Sequence, residues 1–156
     1  TAVLNVFCDL DHSWSNRVEP EKMQKIKELM KQKNITNHGW VDNKTLRKYW
    51  DLSHVWLYPC DFIETCCLTA WEASASKTLA ITSDWGALTE SVGNRGIMIS
   101  GDPKSKEWRD ECLKKLFDVI DNSKEKEYVY RNYAWSLEKS YDNVVEQFLS
   151  SLSESA

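Results

Sequence analysis

Short apolar runs alternate with stretches of helical spacing about five times along the chain. Ala2–Phe7 (AVLNVF) suits a buried strand. Asn34–Val41 holds a second short strand and then a loop with Gly39. Ser53–Pro59 (SHVWLYP) reads as the clearest buried strand, stopped by Pro59. Leu79–Thr82 and Gly96–Ser100 (GIMIS) supply two more. Between them, Glu19-Pro20 opens a helix to about Lys33, with Met23, Ile26, Leu29 and Met30 on one face. Proline near the start and acids in the first turn favour that helix. Asp42 to about Leu52 reads as a helix capped by Asp42 or Asn43, turning Leu46, Tyr49 and Trp50 inward. Leu68–Ser76 and Gly86–Val92 follow as helices. From Lys104 the pattern stays helical, with one stripe of Trp108, Leu113, Leu116, Phe117 and Ile120. A second stripe holds Tyr133, Leu137, Tyr141, Val144, Val145, Phe148 and Leu149.

This order predicts an α/β fold: a Rossmann-like parallel sheet with helices on both faces and extra C-terminal helices. A length of 156 residues holds one domain, read as residues 1–150 with a frayed tail at 151–156. Acids outnumber bases 24 to 20, which argues against a surface built to grip nucleic acid. No run approaches the length of a membrane span, and no signal peptide opens the sequence. The five cysteines are odd in number and form no C-x-x-C pair, and the three histidines form no ligand pair at helical spacing. They read as reduced thiols in a cytoplasmic protein, with no metal site. Trp is unusually frequent at eight residues. Trp56 and Trp71 fall on a core strand and helix, Trp108 and Trp135 on the terminal helices. Trp40 and Trp85 fall on strand-end loops and are expected to be exposed.

Sheets of this kind bind ligands in the crevice outside the carboxyl ends of their strands. The loop after Pro59 is the richest in chemistry there. Residues 65–69 lie where a helix begins, so free N–H groups and the positive dipole end make an anion site. Glu64 precedes that site and Glu72 follows it on the second turn. A carboxylate accepts two hydrogen bonds and suits vicinal hydroxyls, each charge-assisted bond contributing roughly 1.5–3 kcal/mol. Two glutamates eight apart are by themselves ordinary surface charges; the position at the strand end gives them a role. A phosphate site between two hydroxyl-reading carboxylates matches a nucleotide sugar.

The segment from His38 to Asp102 resembles the donor-binding, C-terminal domain of a retaining GT-B glycosyltransferase, in the large group called family 4. The tokens run in the family's order: Gly39-Trp40-Val41 before a helix, Leu52-Ser53-His54-Val55 opening a strand, and Pro59-Cys60 ending it. Glu64 and Glu72-Ala73 stand at the Glu-x7-Glu spacing. Lys77-Thr78-Leu79-Ala80-Ile81-Thr82-Ser83, Gly86 to Val92 and Ala134-Trp135-Ser136-Leu137-Glu138 follow. The resemblance implies that Glu72 holds the ribose hydroxyls and Glu64 contacts the donor sugar. The backbone of Thr65, Cys66, Cys67, Leu68 and Thr69 meets the diphosphate or sugar, and Val41 lies against the base. It implies no metal and no cofactor beyond the nucleotide-diphosphate sugar. The acceptor is held by an N-terminal domain of the same protein or a partner chain. Where the family usually has Gly-Phe-Gly, this chain has Thr65-Cys66-Cys67, whose side chains narrow the space beside the phosphates. The alternative is an inactive nucleotide-binding or protein-interaction α/β module.

Three further signals are weaker. Asp9-Leu10-Asp11 spells a D-x-D on a strand-end loop. Cys66 and Cys67 sit at a helix N-terminus, where a thiol pKa can fall. The aromatics Tyr128, Tyr130, Tyr133, Trp135 and Tyr141 read as a packing seam rather than a platform for bases.

Overall fold

The computed structural model describes residues 2–154, with all side chains among them except those of Ser13 and Trp14. The chain divides into two compact units, Thr1–Lys48 and Tyr49–Ala156. Every strand pairing is parallel, in a two-stranded sheet in the first unit and a three-stranded sheet in the second.

In the first unit β1 (Leu4–Val6) pairs with β2 (Ile35–Asn37) through α1 (Pro20–Leu29). Pro20 occupies the first turn of α1, where its missing N–H costs nothing. β1 is less buried than its apolar run predicts: Leu4 is 47% exposed, because within this unit it has a strand neighbour on one side only. At the carboxyl ends Phe7 stacks on His38, centroids 4.9 Å apart, and His38 Nε2 lies 2.9 Å from Asn5 Oδ1. The division falls within α2 (Asn43–Leu52). Asp42 is the cap: its carboxylate accepts the Thr45 N–H at 2.8 Å and the Thr45 hydroxyl at 3.1 Å. Those bonds hold its carboxyl below the usual carboxylate range.

In the second unit the sheet order is β3 (Val55–Tyr58), β4 (Leu79–Ser83), β5 (Ile97–Ile99). Around it run α3 (Leu68–Ala75), α4 (Leu88–Ser91), α5 (Lys106–Asn122), α6 (Glu125–Glu138) and α7 (Tyr141–Glu154). The central strand is β4, all five residues of which are buried. That corrects the sequence reading, which took Ser53–Pro59 as the clearest buried strand. β3 is at the margin of this sheet, and Leu57 is 36% exposed.

Alternation along the strands sends side chains to two opposite faces. On one face Leu79, Ile81 and Ile99 pack with Trp108, Cys112 and Val119 of α5, with Val55, Ile97 and Leu116 beside them. On the other Ala80 packs with Cys67 and Ala70 at α3 and with Leu88 and Val92, joined by Trp56, Trp71 and Met98. Helices thus cover both faces, as expected. The Trp108 indole N–H donates to Ile99 O at 2.9 Å, so its burial leaves no donor stranded. The stripe on α5 is shifted from the predicted one. Trp108, Cys112, Leu116 and Val119 face the sheet, while Leu113, Phe117 and Ile120 are 47%, 57% and 43% exposed. The α7 residues of the second stripe are also exposed, with Tyr141 at 83% and Phe148 at 61%. The aromatic seam is partly formed. Trp135 packs edge-on against Trp71 and carries the Arg95 guanidinium at 4.1 Å. Tyr133 carries Lys77 Nζ at 4.6 Å, and Tyr130 is 80% exposed.

α3 ends with Lys77 in the left-handed region, φ 59°, and the Thr78 N–H returns to Ala73 O at 2.8 Å. This is the turn that usually takes glycine. α7 continues to Glu154, into the polar stretch read as tail, and residues 155 and 156 lie outside the described ones. Among the described residues no helix is long and apolar enough to cross a membrane.

Ile81 is fully buried at the centre of β4. Ile81→Ala should lower the unfolding free energy by about 2–5 kcal/mol through lost burial and the cavity left behind. The midpoint of a denaturant melt measures it, and a loss under about 1 kcal/mol would contradict this placement of the core.

Candidate functional site

The loops leaving the carboxyl ends of β3, β4 and β5 are tied to one another. Thr82 Oγ1 donates to Tyr58 O at 2.7 Å. One residue on, the buried Ser83 hydroxyl donates to Cys60 O at 2.6 Å. These bonds fasten the exit of β3 to β4 beyond the ladder. Ser100, just past β5, donates to Asp84 Oδ2 at 2.6 Å, and Lys104 pairs with Asp61 at 2.8 Å. That pair is exposed, and it pushes the Lys104 ammonium above its ordinary range.

The same region holds Glu64 in place. Its carbonyl accepts the Ala87 N–H at 2.8 Å. Gly86 makes this approach possible: φ is +57°, and a Cβ there would stand 2.4 Å from Glu64 O and 2.8 Å from Glu64 N. The half-buried Glu64 side chain accepts the Tyr58 hydroxyl at 2.7 Å on Oε1. Burial, and then the hydrogen bond to Glu64, push the Tyr58 phenol above its ordinary range. Tyr58 is the last residue of β3 and stacks on Trp56 at 4.8 Å.

Glu64, Thr65, Cys66, Cys67, Leu68 and Thr69 therefore run contiguously from the anchored loop into α3, and Glu72 follows on the helix. Thr65, Cys66, Leu68 and Glu72 are exposed, Thr69 is half-buried and Cys67 is buried. Ala70, Ala73 and Ser74 form the buried side of α3. Cys67 is the N-cap residue and supplies no side-chain cap. The Leu68 N–H bonds Cys66 O at 3.1 Å and the Ala70 N–H bonds Cys67 O at 3.0 Å. Val41 is half-buried in the first unit. It follows a turn in which Gly39, at φ +64°, donates its N–H to Asn37 Oδ1 at 3.1 Å.

Sequence reasoning overlooked Tyr58 and Lys104 as parts of this region. For Tyr58 a signal was present: it directly precedes the strand-stopping Pro59, which places it at the carboxyl edge. The weaker signals have structural partners. Asp9 Oδ1 accepts the Asp11 N–H at 3.0 Å, and Asp11 pairs with Lys27 at 2.7 Å. Among the described residues no three His, Cys, Asp or Glu side chains gather as metal ligands. Trp40 is 89% exposed, but Trp85 is half-buried rather than exposed.

The Cys67 thiol moves opposite to the fall that a helix N-terminus can produce. Burial is the largest cause, and it pushes the thiol up to about 11. Thiolate is the reactive form, so at pH 8 iodoacetamide should label the exposed Cys66 at least tenfold faster than Cys67. Labelling of Cys67 should rise only as pH approaches 11. Peptide mass spectrometry separates the two sites; equal labelling at pH 8 would contradict the buried, protonated assignment.

The comparisons agree with this architecture. A solved glycosyltransferase from Rickettsia africae ESF-5 superposes with a TM-score of 0.71 at 17% identity, over 99% of this chain and 40% of that one. Sucrose-phosphate synthase from Thermosynechococcus elongatus gives 0.65 at 18% identity, over 99% and 39%. Both likenesses are of fold, and this chain spans about 40% of the length of each. Curated proteins return no match. The family model described as glycosyl transferases group 1 matches residues 15–117, well over half of the sequence. The chain belongs to the glycosyl transferases group 1 family.

Proposed function

We propose that this chain is the C-terminal, donor-binding part of a retaining, family 4-like glycosyltransferase that uses a nucleotide-diphosphate sugar. The observation that carries the reading is the arrangement at the carboxyl end of β3. Glu64 is anchored by Tyr58 and Ala87 immediately before the N-terminus of α3, and Glu72 stands exposed on that helix. A helix N-terminus attracts a diphosphate through its N–H groups and dipole. Glu72 takes the ribose hydroxyls and Glu64 a hydroxyl of the sugar. Thr65, Cys66 and Leu68, between them in the chain, are exposed.

Transfer requires an acceptor hydroxyl supplied by another domain or a partner chain. Its oxygen attacks the anomeric carbon on the face from which the diphosphate leaves. The C–O bond to phosphate breaks, and the hydroxyl proton passes to the departing diphosphate oxygen. The products are a glycoside of unchanged anomeric configuration and a nucleoside diphosphate. The α3 dipole and basic side chains take the leaving charge, and the reading calls for no metal. Cytoplasmic nucleotide sugars suit a chain whose five cysteines are free thiols.

Calorimetric titration with uridine, guanosine and adenosine diphosphates tests this. One of the three should bind below millimolar, and Glu72→Ala should weaken it about tenfold or more, the equivalent of one lost charge-assisted bond. Absence of binding by all three, with no effect of Glu72→Ala, rejects the donor-site reading.

A further inference from the structure

We infer that Tyr58 is a positioning residue for Glu64, and that this hydrogen bond makes the site selective for the sugar half of a nucleotide sugar over its nucleotide half. The inference rests on the proposed donor-site reading and adds to it a residue outside the Glu-x7-Glu pattern.

The geometry supports a one-directional clamp. The Tyr58 hydroxyl donates to Glu64 Oε1 at 2.7 Å, within the range of a strong O–H···O⁻ bond. Tyr58 is not free to move away. It ends β3, its carbonyl is held by Thr82 Oγ1 at 2.7 Å, and its ring stacks on Trp56 at 4.8 Å with planes 15° apart. Glu64 is restrained from its backbone side by the Ala87 N–H and by the close approach of Gly86. A glutamate side chain ordinarily loses rotamer freedom when it is ordered. Here the protein orders it before any ligand arrives, so that cost is not charged against binding.

Chemistry then sets what the clamped carboxylate recognises. The phenol stays protonated across the physiological range, because burial and the Glu64 bond both raise it. A carboxylate only accepts hydrogen bonds, and the phenol, its one proton committed to Oε1, adds no donor beside it. Such a group selects a partner that donates, and a sugar hydroxyl does. Phosphate oxygens, which only accept and carry like charge, are disfavoured there. The α3 N-terminus serves the phosphate instead. Loss of the Tyr58 hydroxyl should therefore weaken the ligand that carries a sugar and spare the one that ends at the diphosphate.

The test uses the intact protein that carries this chain. UDP-glucose, GDP-mannose and ADP-glucose are titrated beside UDP, GDP and ADP, into wild type, Tyr58→Phe, Glu64→Ala and the double variant. Phenylalanine keeps the ring and its stacking, and a thermal melt checks the fold of each variant. The expected result is a loss of about five- to twentyfold for the bound nucleotide sugar in Tyr58→Phe, with its nucleoside diphosphate within twofold of wild type. In the Glu64→Ala background the added Tyr58→Phe change should have no further effect, because the group it positions is gone. Equal weakening of sugar and diphosphate ligands, no weakening of either, or an undiminished Tyr58→Phe effect without Glu64 overturns the inference while leaving the donor site standing. Failure of wild type to bind any of the six ligands overturns both.

Discussion

β4 is buried on both of its faces, and the site depends on it through two hydroxyls. Leu79 and Ile81 point to α5, and Ala80 points to the α3 side. An apolar strand in this position would complete the same core. Thr82 and Ser83 do something an apolar pair could not. Buried hydroxyls must find acceptors, and theirs are the carbonyls of Tyr58 and Cys60, at the exit of β3. Thr78 does the same at the opposite end of the strand, donating to Trp50 O and Ser53 O at 3.2 and 3.1 Å. The central strand thus fixes both ends of β3 by side-chain bonds, and the loop carrying Glu64 begins from a held point.

From that point order passes outward in short steps. Gly86 lets the chain after β4 approach the Glu64 backbone, and Tyr58 takes the Glu64 carboxylate. α3 then starts at once, with its small residues Ala70, Ala73 and Ser74 against the core, so its N-terminus is kept at the strand edge. Ser74 also reaches Asn132 of α6 at 3.3 Å, a buried polar pair that sets α3 against α6. Burial works against reactivity at Cys67, whose thiol stays protonated. Thr65, Cys66, Leu68 and Glu72, around that N-terminus, stay exposed.

Much of this was legible in the residues. The alternation of short apolar runs and helical stretches located all five strands and the helices after them, because periods of 2 and 3.6 are local properties of the chain. The contiguous loop from Glu64 to Thr69 could be placed at a strand end because Pro59 stops β3 and helical spacing resumes at Leu68. What periodicity could not choose was between two apolar faces of one helix. On α5 both the Trp108–Cys112–Val119 face and the Leu113–Phe117–Ile120 face satisfy helical spacing. Only the position of the sheet decided that the first is buried.

The sequence by itself determined the class of fold, the order of its elements and the family, since all three are carried by local spacing and by short tokens in a fixed order. The tertiary structure alone decided which strand is central, which face of α5 is covered and what holds Glu64. Those outcomes rest on contacts between residues far apart in the chain, such as Ser83 with Cys60 and Ala87 with Glu64. Such pairs leave no periodic trace, because what brings them together is the crossing of parallel strands through intervening helices.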